Sequence, residues 1–294
     1  METGSFVTST GLRIFYRYCA SGNQGADVIL CIHGLASDSR VFNYFAGQSS
    51  RLGYNVYAID LPGYGMSDGE TGDVSFYLTM NCLHDVITPI SNKNRNRRIF
   101  LLGFSLGGLH ALWYASLHEE MLNGVIVVAP HLRIEGVKRD PRSEPSKEVL
   151  SLALQKYSTN PAETVHIGTA VPTAFGELAG DEWIYMLNDP ICNFKYSYRY
   201  IFDILIVRAE KVEQLYKIKI PILVLHGSND FNVVPEQSKT FLSKSDSADK
   251  ELKLFDCDHW FYNAFFYMQE NRYSEIDRIN VVKAIAEWIR SKTI

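Results

Sequence analysis

The sequence is poor in the features that announce export, membrane spanning, metal binding or nucleic-acid binding. Residues Met1 to Thr10 are polar and mixed, with no basic start leading into an apolar stretch, and no later window holds 18 uninterrupted apolar residues. Neither secretion nor stable membrane insertion is therefore expected. The five cysteines, Cys19, Cys31, Cys82, Cys192 and Cys257, are odd in number, scattered, and free of any C-x-x-C spacing. That pattern argues against zinc and dithiol chemistry and suits reduced thiols in a cytoplasmic protein. Charge of one sign is also lacking: the formal charge is -4, both signs are spread along the chain, and the densest basic run, Lys93 to Arg98, is short. No face could neutralise a nucleic-acid backbone, and the run reads as a solvated loop. There is no phosphate-cradling glycine loop and no internal repeat, so no metal or organic cofactor is expected.

What is present is an ordinary globular composition, 46% hydrophobic and 21% charged over 294 residues, enough for a sizeable core. Ser5–Val7 and Leu12–Cys19 alternate as an antiparallel hairpin turned at Thr10-Gly11. Short apolar strands at Val28–Ile32, Val56–Ile59, Ile99–Phe104 and Val125–Ala129 then alternate with helix-compatible stretches at Val41–Leu52, Val74–Ile90 and Leu106–His118. Such runs, apolar on both faces, predict parallel β-α-β units with helices covering the sheet. The alternation stops after Pro130 and resumes with a strand at Ile222–Leu225, a helix near Glu236–Leu242, a strand at Leu252–Phe255 and a helix over Ile276–Ile289.

Between the two halves, a charged stretch with two prolines, Arg133–Glu148, leads into helix-compatible sequence dense in aromatics: Tyr157, Phe175, Trp183, Tyr185, Phe194, Tyr196, Tyr198, Tyr200 and Phe202. For each ring singly, ordinary packing is the simpler explanation. As a group they suit a mainly helical cap lining a pocket. The expected division is a first core part over 1–130, a cap insertion over 131–218 and a second core part over 219–294.

Chemistry-bearing residues fall at the ends of the predicted strands. Gly103-Phe104-Ser105-Leu106-Gly107 is a G-x-S-x-G sequence at a strand-to-helix turn, where glycines leave room for a serine held in a strained backbone. His33-Gly34-Leu35 follows an earlier strand on the same rim. There the amides of Leu35 and Leu106 are placed to donate to a carbonyl oxygen under attack, while His33 suits a loop-holding role. Asp230 follows the Ile222–Leu225 strand, and the alternative acid position after Val125–Ala129 holds no carboxylate before Glu135. His259 is the only histidine after Asp230, so the order Ser105, Asp230, His259 is complete.

Together, H-G-L at 33–35, D-L-P-G-Y-G-M-S-D-G at 60–69, G-F-S-L-G-G at 103–108, Asp230 and His259 make the chain resemble the α/β-hydrolase superfamily over nearly its whole length. Within it the chain looks like the carboxylesterase and monoacylglycerol-lipase branch. The resemblance implies an α/β fold with a mostly parallel central sheet flanked by helices, an inserted helical cap, and a loop at 60–69 that packs beside the site. Serine at the elbow disfavours the dehalogenase and epoxide-hydrolase reactions, which use aspartate there. The expected function is a serine esterase cleaving short- to medium-chain carboxylic esters or lipid-like monoacylglycerols through an acyl-serine. The same constellation also serves C–C, lactone, thioester and amide substrates, and a silent hydrolase-fold receptor remains a reading of another class.

Overall fold

The structure, a computed structural model, describes residues 1–93, 96–143, 147–167, 180–266 and 273–292. Its frame is an eight-stranded sheet of β1 (Glu2–Val7), β2 (Arg13–Cys19), β3 (Val28–Ile32), β4 (Asn55–Ile59), β5 (Ile99–Phe104), β6 (Gly124–Val128), β9 (Ile222–Gly227) and β10 (Lys250–Phe255). The spatial order is β1-β2-β4-β3-β5-β6-β9-β10. The β1–β2 and β2–β4 pairs are antiparallel and every other pair is parallel. The expected hairpin and the expected mostly parallel sheet are both present.

Helices cover the sheet: α1 (Asn43–Arg51), α2 (Phe76–Lys93), α3 (Leu106–Leu117), α7 (Pro235–Lys244) and α8 (Glu275–Ser291). Residues of β3, β5, β6 and β9 are buried throughout, which is why their sequences show continuous apolar runs instead of alternation. The start of α8 is fixed by Ser274, whose hydroxyl accepts from Asp277 N at 3.1 Å.

Register places the chemistry. Ile32 pairs with Gly103, Phe104 with Val128, Val128 with Leu225, and Phe255 with Gly227. The carboxyl ends of these strands therefore share one rim, and the loops bearing His33, Ser105, Asp230 and His259 all leave from it.

Between β6 and β9 lie α4 (Lys147–Thr159), β7 (Thr164–His166), α5 (Gly180–Leu187), β8 (Lys195–Ser197) and α6 (Tyr198–Tyr200), the last running on as a π-helical stretch over Ile201–Arg208. The small antiparallel sheet of β7 and β8 is a feature the sequence did not announce, because three residues are too few to set a periodicity. Of the nine aromatics expected in this region, Phe175 and the side chain of Trp183 lie outside the described residues. Tyr198 and Phe202 line a cavity, while Tyr196 and Tyr200 are buried in packing. Phe194 stacks on His166, and Tyr157 packs on Phe202.

Candidate active site

Ser105 sits between β5 and α3 with φ 53° and ψ −116°, a left-handed conformation that a residue with a Cβ holds only when its surroundings impose it. They do so from several sides. Ser105 N donates to Val128 O at 2.8 Å, and the Ser105 carbonyl accepts from His131 N at 3.0 Å and Gly108 N at 2.9 Å. The flanking glycines are a steric necessity. A Cβ on Gly107 would lie 2.2 Å from Ile32 O, and one on Gly103 would lie 2.2 Å from Gly107 O. The helix can therefore reach its place on the sheet only with hydrogen at those positions.

His259 Nε2 lies 3.0 Å from Ser105 Oγ, and His259 Nδ1 lies 2.7 Å from Asp230 Oδ2. The structure thus brings together the serine, acid and histidine that the sequence places 154 and 29 residues apart. Asp230 is buried. Burial by itself would raise its carboxyl, but the charge and hydrogen bonds of His259 and His226 outweigh that and hold it at about 2. Asp230 Oδ1 accepts from Val233 N at 3.0 Å, so both carboxylate oxygens have partners. The turn is tight: a Cβ on Gly227 would meet Cys257 O at 2.4 Å and Asp258 O at 2.5 Å.

His226 was not singled out in the sequence. Its Nε2 donates to Val233 O at 2.7 Å and stands 3.4 Å from Asp230 Oδ2, while Nδ1 meets Ser238 Oγ at 2.7 Å. Position alone, four residues before Asp230 at the end of β9, was the available signal.

His33, by contrast, is held as a loop support. Its Nε2 accepts from Leu61 N at 3.0 Å, so the proton must be on Nδ1, which donates to Gly34 O at 2.8 Å. Burial lowers the pKa of its imidazole, in keeping with that neutral tautomer. The 60–69 loop is organised by the buried Asp60 carboxylate, which accepts from Ser39 N at 2.7 Å and Met66 N at 2.8 Å.

Leu35 and Leu106 both border the cavity beside Ser105. Among the described residues neither of their amides donates to an acceptor, and for Leu106 the first position of a helix explains it. Both N–H groups are thus available to an incoming oxygen.

The cavity itself holds about 320 Å³. Its inner wall is Ser105, His259, Phe104 and Trp260, and its outer wall comes from the 131–218 segment, including Leu150, Ile167, Met186, Ile201 and Leu205. Aliphatic side chains dominate that outer wall, and the carboxylate among the described lining residues, Asp140, is ion-paired to Arg142 at 2.7 Å. Among the described residues no cluster of three His, Cys, Asp or Glu side chains could hold a metal ion. No described helix is long and apolar enough to cross a membrane.

Residues 24–259 match the family model described as serine aminopeptidase, S33. A monoglyceride lipase of Rattus norvegicus is 24% identical over 85% of this chain and 80% of its own length. A caffeoylshikimate esterase of Arabidopsis thaliana is 26% identical over 98% of this chain and 84% of its own length. Among solved structures, a soluble variant of monoglyceride lipase from Saccharomyces cerevisiae, in complex with a substrate analogue, superposes with a TM-score of 0.77 at 22% identity, covering 97% of this chain and 94% of that one. The fold they share is that of the α/β hydrolases, as the sequence motifs implied.

Proposed function

The chain belongs to the family described as serine aminopeptidase, S33, and on that premise we propose that it is a serine esterase acting on short- to medium-chain or lipid-like carboxylic esters. The observation that carries this reading is the relay from Ser105 Oγ through His259 to Asp230, with spacings of 3.0 and 2.7 Å, opening on an apolar cavity.

In the reaction, His259 Nε2 takes the hydroxyl proton of Ser105 as Oγ attacks the acyl carbonyl, and the ionised Asp230 orients and stabilises the imidazolium. The developing oxyanion is met by the amides of Leu35 and Leu106. Collapse breaks the ester C–O bond, the alcohol leaves with the proton from His259, and an acyl-serine remains. Water, deprotonated by His259, then attacks that acyl group and restores the serine. The 131–218 insertion acts as the cap that closes the acyl site from water.

A cavity of about 320 Å³ stands at the small end of the roughly 300–1,000 Å³ usual for ligand pockets, which favours short and medium acyl chains. Among the described lining residues the carboxylate that could meet a substrate ammonium is Asp140, and it is paired with Arg142, which favours an ester over a peptide with a free amino terminus. Relatives named as a monoglyceride lipase and an esterase point the same way.

The test is hydrolysis of p-nitrophenyl esters from acetate to palmitate by wild type and Ser105→Ala. Serine-dependent turnover with a maximum below the longest chains is expected; absence of turnover on every ester would sink the proposal.

A further inference from the structure

Two peptide planes flank Leu35, and each is held from outside. In the first, Gly34 O accepts from His33 Nδ1 at 2.8 Å and from Ser37 Oγ at 3.2 Å. A trans peptide is planar with its C=O and N–H opposed, so fixing that oxygen fixes the direction of the Leu35 N–H. In the second plane, Ala36 N donates to the phenol oxygen of Tyr196 at 3.0 Å. Tyr196 lies in β8 of the insertion, 160 residues further along the chain, and passes its own hydroxyl proton to Asn193 O at 2.7 Å.

The torsions of Leu35 are the only soft links between those planes, so holding both planes leaves the Leu35 amide a single orientation. Outside help is needed here. Ala36 has φ 58°, a conformation disfavoured for any residue with a Cβ. The same stretch of the insertion grips the loop a second time, because Arg40 pairs with Asp38 at 2.6 Å and with Asp189 at 2.9 Å.

We propose that Tyr196 is a positioning residue for the oxyanion hole: through its hydroxyl the insertion holds Ala36 and so aims the Leu35 N–H at the reacting carbonyl oxygen. This rests on the esterase reading, in which Leu35 is one of the two oxyanion donors. It makes the insertion part of the oxyanion-binding apparatus as well as a wall of the acyl site. A displacement of the insertion would then slow the chemistry even for substrates small enough to need no cap.

The experiment compares wild type, Tyr196→Phe and Tyr200→Phe. Tyr200→Phe removes a hydroxyl from the same buried ring cluster, together with its 2.7 Å contact with Tyr64, and leaves the bond from Ala36 N to Tyr196 in place, so it controls for structural damage. The readouts are kcat and KM on p-nitrophenyl acetate, and inhibition by phenylboronic acid, whose tetrahedral serine adduct places a negatively charged oxygen where the oxyanion forms. Tyr196→Phe is expected to lower kcat about tenfold, a part of the roughly 10²- to 10³-fold lost when an oxyanion donor is removed outright. KM should change little, and boronate inhibition should weaken by the same factor as kcat falls. Tyr200→Phe should match wild type in both. Equal kcat and equal boronate inhibition in Tyr196→Phe would overturn the inference, provided wild type hydrolyses esters and is labelled at Ser105 by a fluorophosphonate. If wild type does neither, the esterase reading itself has failed and the inference falls with it. Should Tyr196→Phe not fold, 3-fluorotyrosine at position 196, assayed below pH 7 where its phenol stays protonated, keeps the ring and hydroxyl but weakens the oxygen as an acceptor. A parallel loss of kcat and boronate binding is then expected, and no loss in either overturns the inference.

Discussion

His226 Nε2 stands 3.4 Å from Asp230 Oδ2, the same oxygen that His259 Nδ1 meets at 2.7 Å. His226 also donates to Val233 O, while Val233 N donates to Asp230 Oδ1, so one residue's backbone ties the histidine and the carboxylate into a single unit. Asp230 is thereby fixed in direction as well as kept ionised.

Replacing His226 should therefore act through geometry. His226→Leu removes a group that helps hold the Asp230 carboxyl at about 2, letting it rise toward its ordinary value near 3.8, still ionised at neutral pH. The expected loss is about 10- to 100-fold in kcat, in the range of a small misplacement of a reacting group, and equal at pH 6 and pH 8. Steady-state kinetics at the two pH values check it; a loss confined to the lower pH would mean that ionisation, and not orientation, is the contribution of His226.

The serine and the histidine should fail as a unit. Ser105→Ala and His259→Ala are each expected to lower kcat on the order of 10⁶-fold, and the double variant no further. Asp230→Asn should be milder, about 10⁴-fold, because it leaves the base present but in the wrong tautomer. Additive losses in the double variant would show that the two side chains do not share one step.

The readable parts of this molecule are those where backbone sterics force a residue type. Gly103 and Gly107 mark the serine turn because backbone oxygens stand where a Cβ would go. The strands Val28–Ile32 and Ile99–Phe104 show because both of their faces are covered. Ser105 was legible from that glycine-flanked turn, and Asp230 and His259 from their places just beyond later strands in the order serine, aspartate, histidine. Tyr196 and Arg40 were not legible as supports of the Leu35 loop. Their partners, Ala36 and Asp189, lie far away in sequence, and a buried tyrosine in an aromatic-rich stretch looks like any packing ring. The β7–β8 pair escaped because its length falls below any detectable period.

Acid should destabilise the fold through histidines buried in neutral form. Burial lowers the His110 pKa to about 3, with the charges of His33 and His131 adding to the effect. The unfolded chain takes up that proton near pH 6.5 while the folded chain does not, so stability is full above about 6.5 and declines as pH falls toward about 3. A single such group contributes a slope of about 1.4 kcal/mol per pH unit inside that window. His110→Gln should flatten the urea-midpoint profile between pH 6 and pH 4 relative to wild type. An unchanged slope would show that His110 is not the group that titrates.

The acyl-chain preference should respond to the outer wall of the cavity. Leu205 lines it, and its carbonyl accepts from His131 Nε2 at 3.0 Å. His131 N in turn donates to Ser105 O, so the backbone of Leu205 is tied to the serine turn while the residue itself belongs to the outer wall. Leu205→Phe adds volume to a space of about 320 Å³ without altering the serine, histidine or aspartate. The p-nitrophenyl ester of highest kcat/KM should therefore shift to a shorter chain, with acetate hydrolysis within about threefold of wild type, as expected for a change that crowds only the remote part of the substrate. An equal loss on acetate and on longer esters would mean that the added ring disturbs the Ser105 environment, and that the acyl chain runs elsewhere.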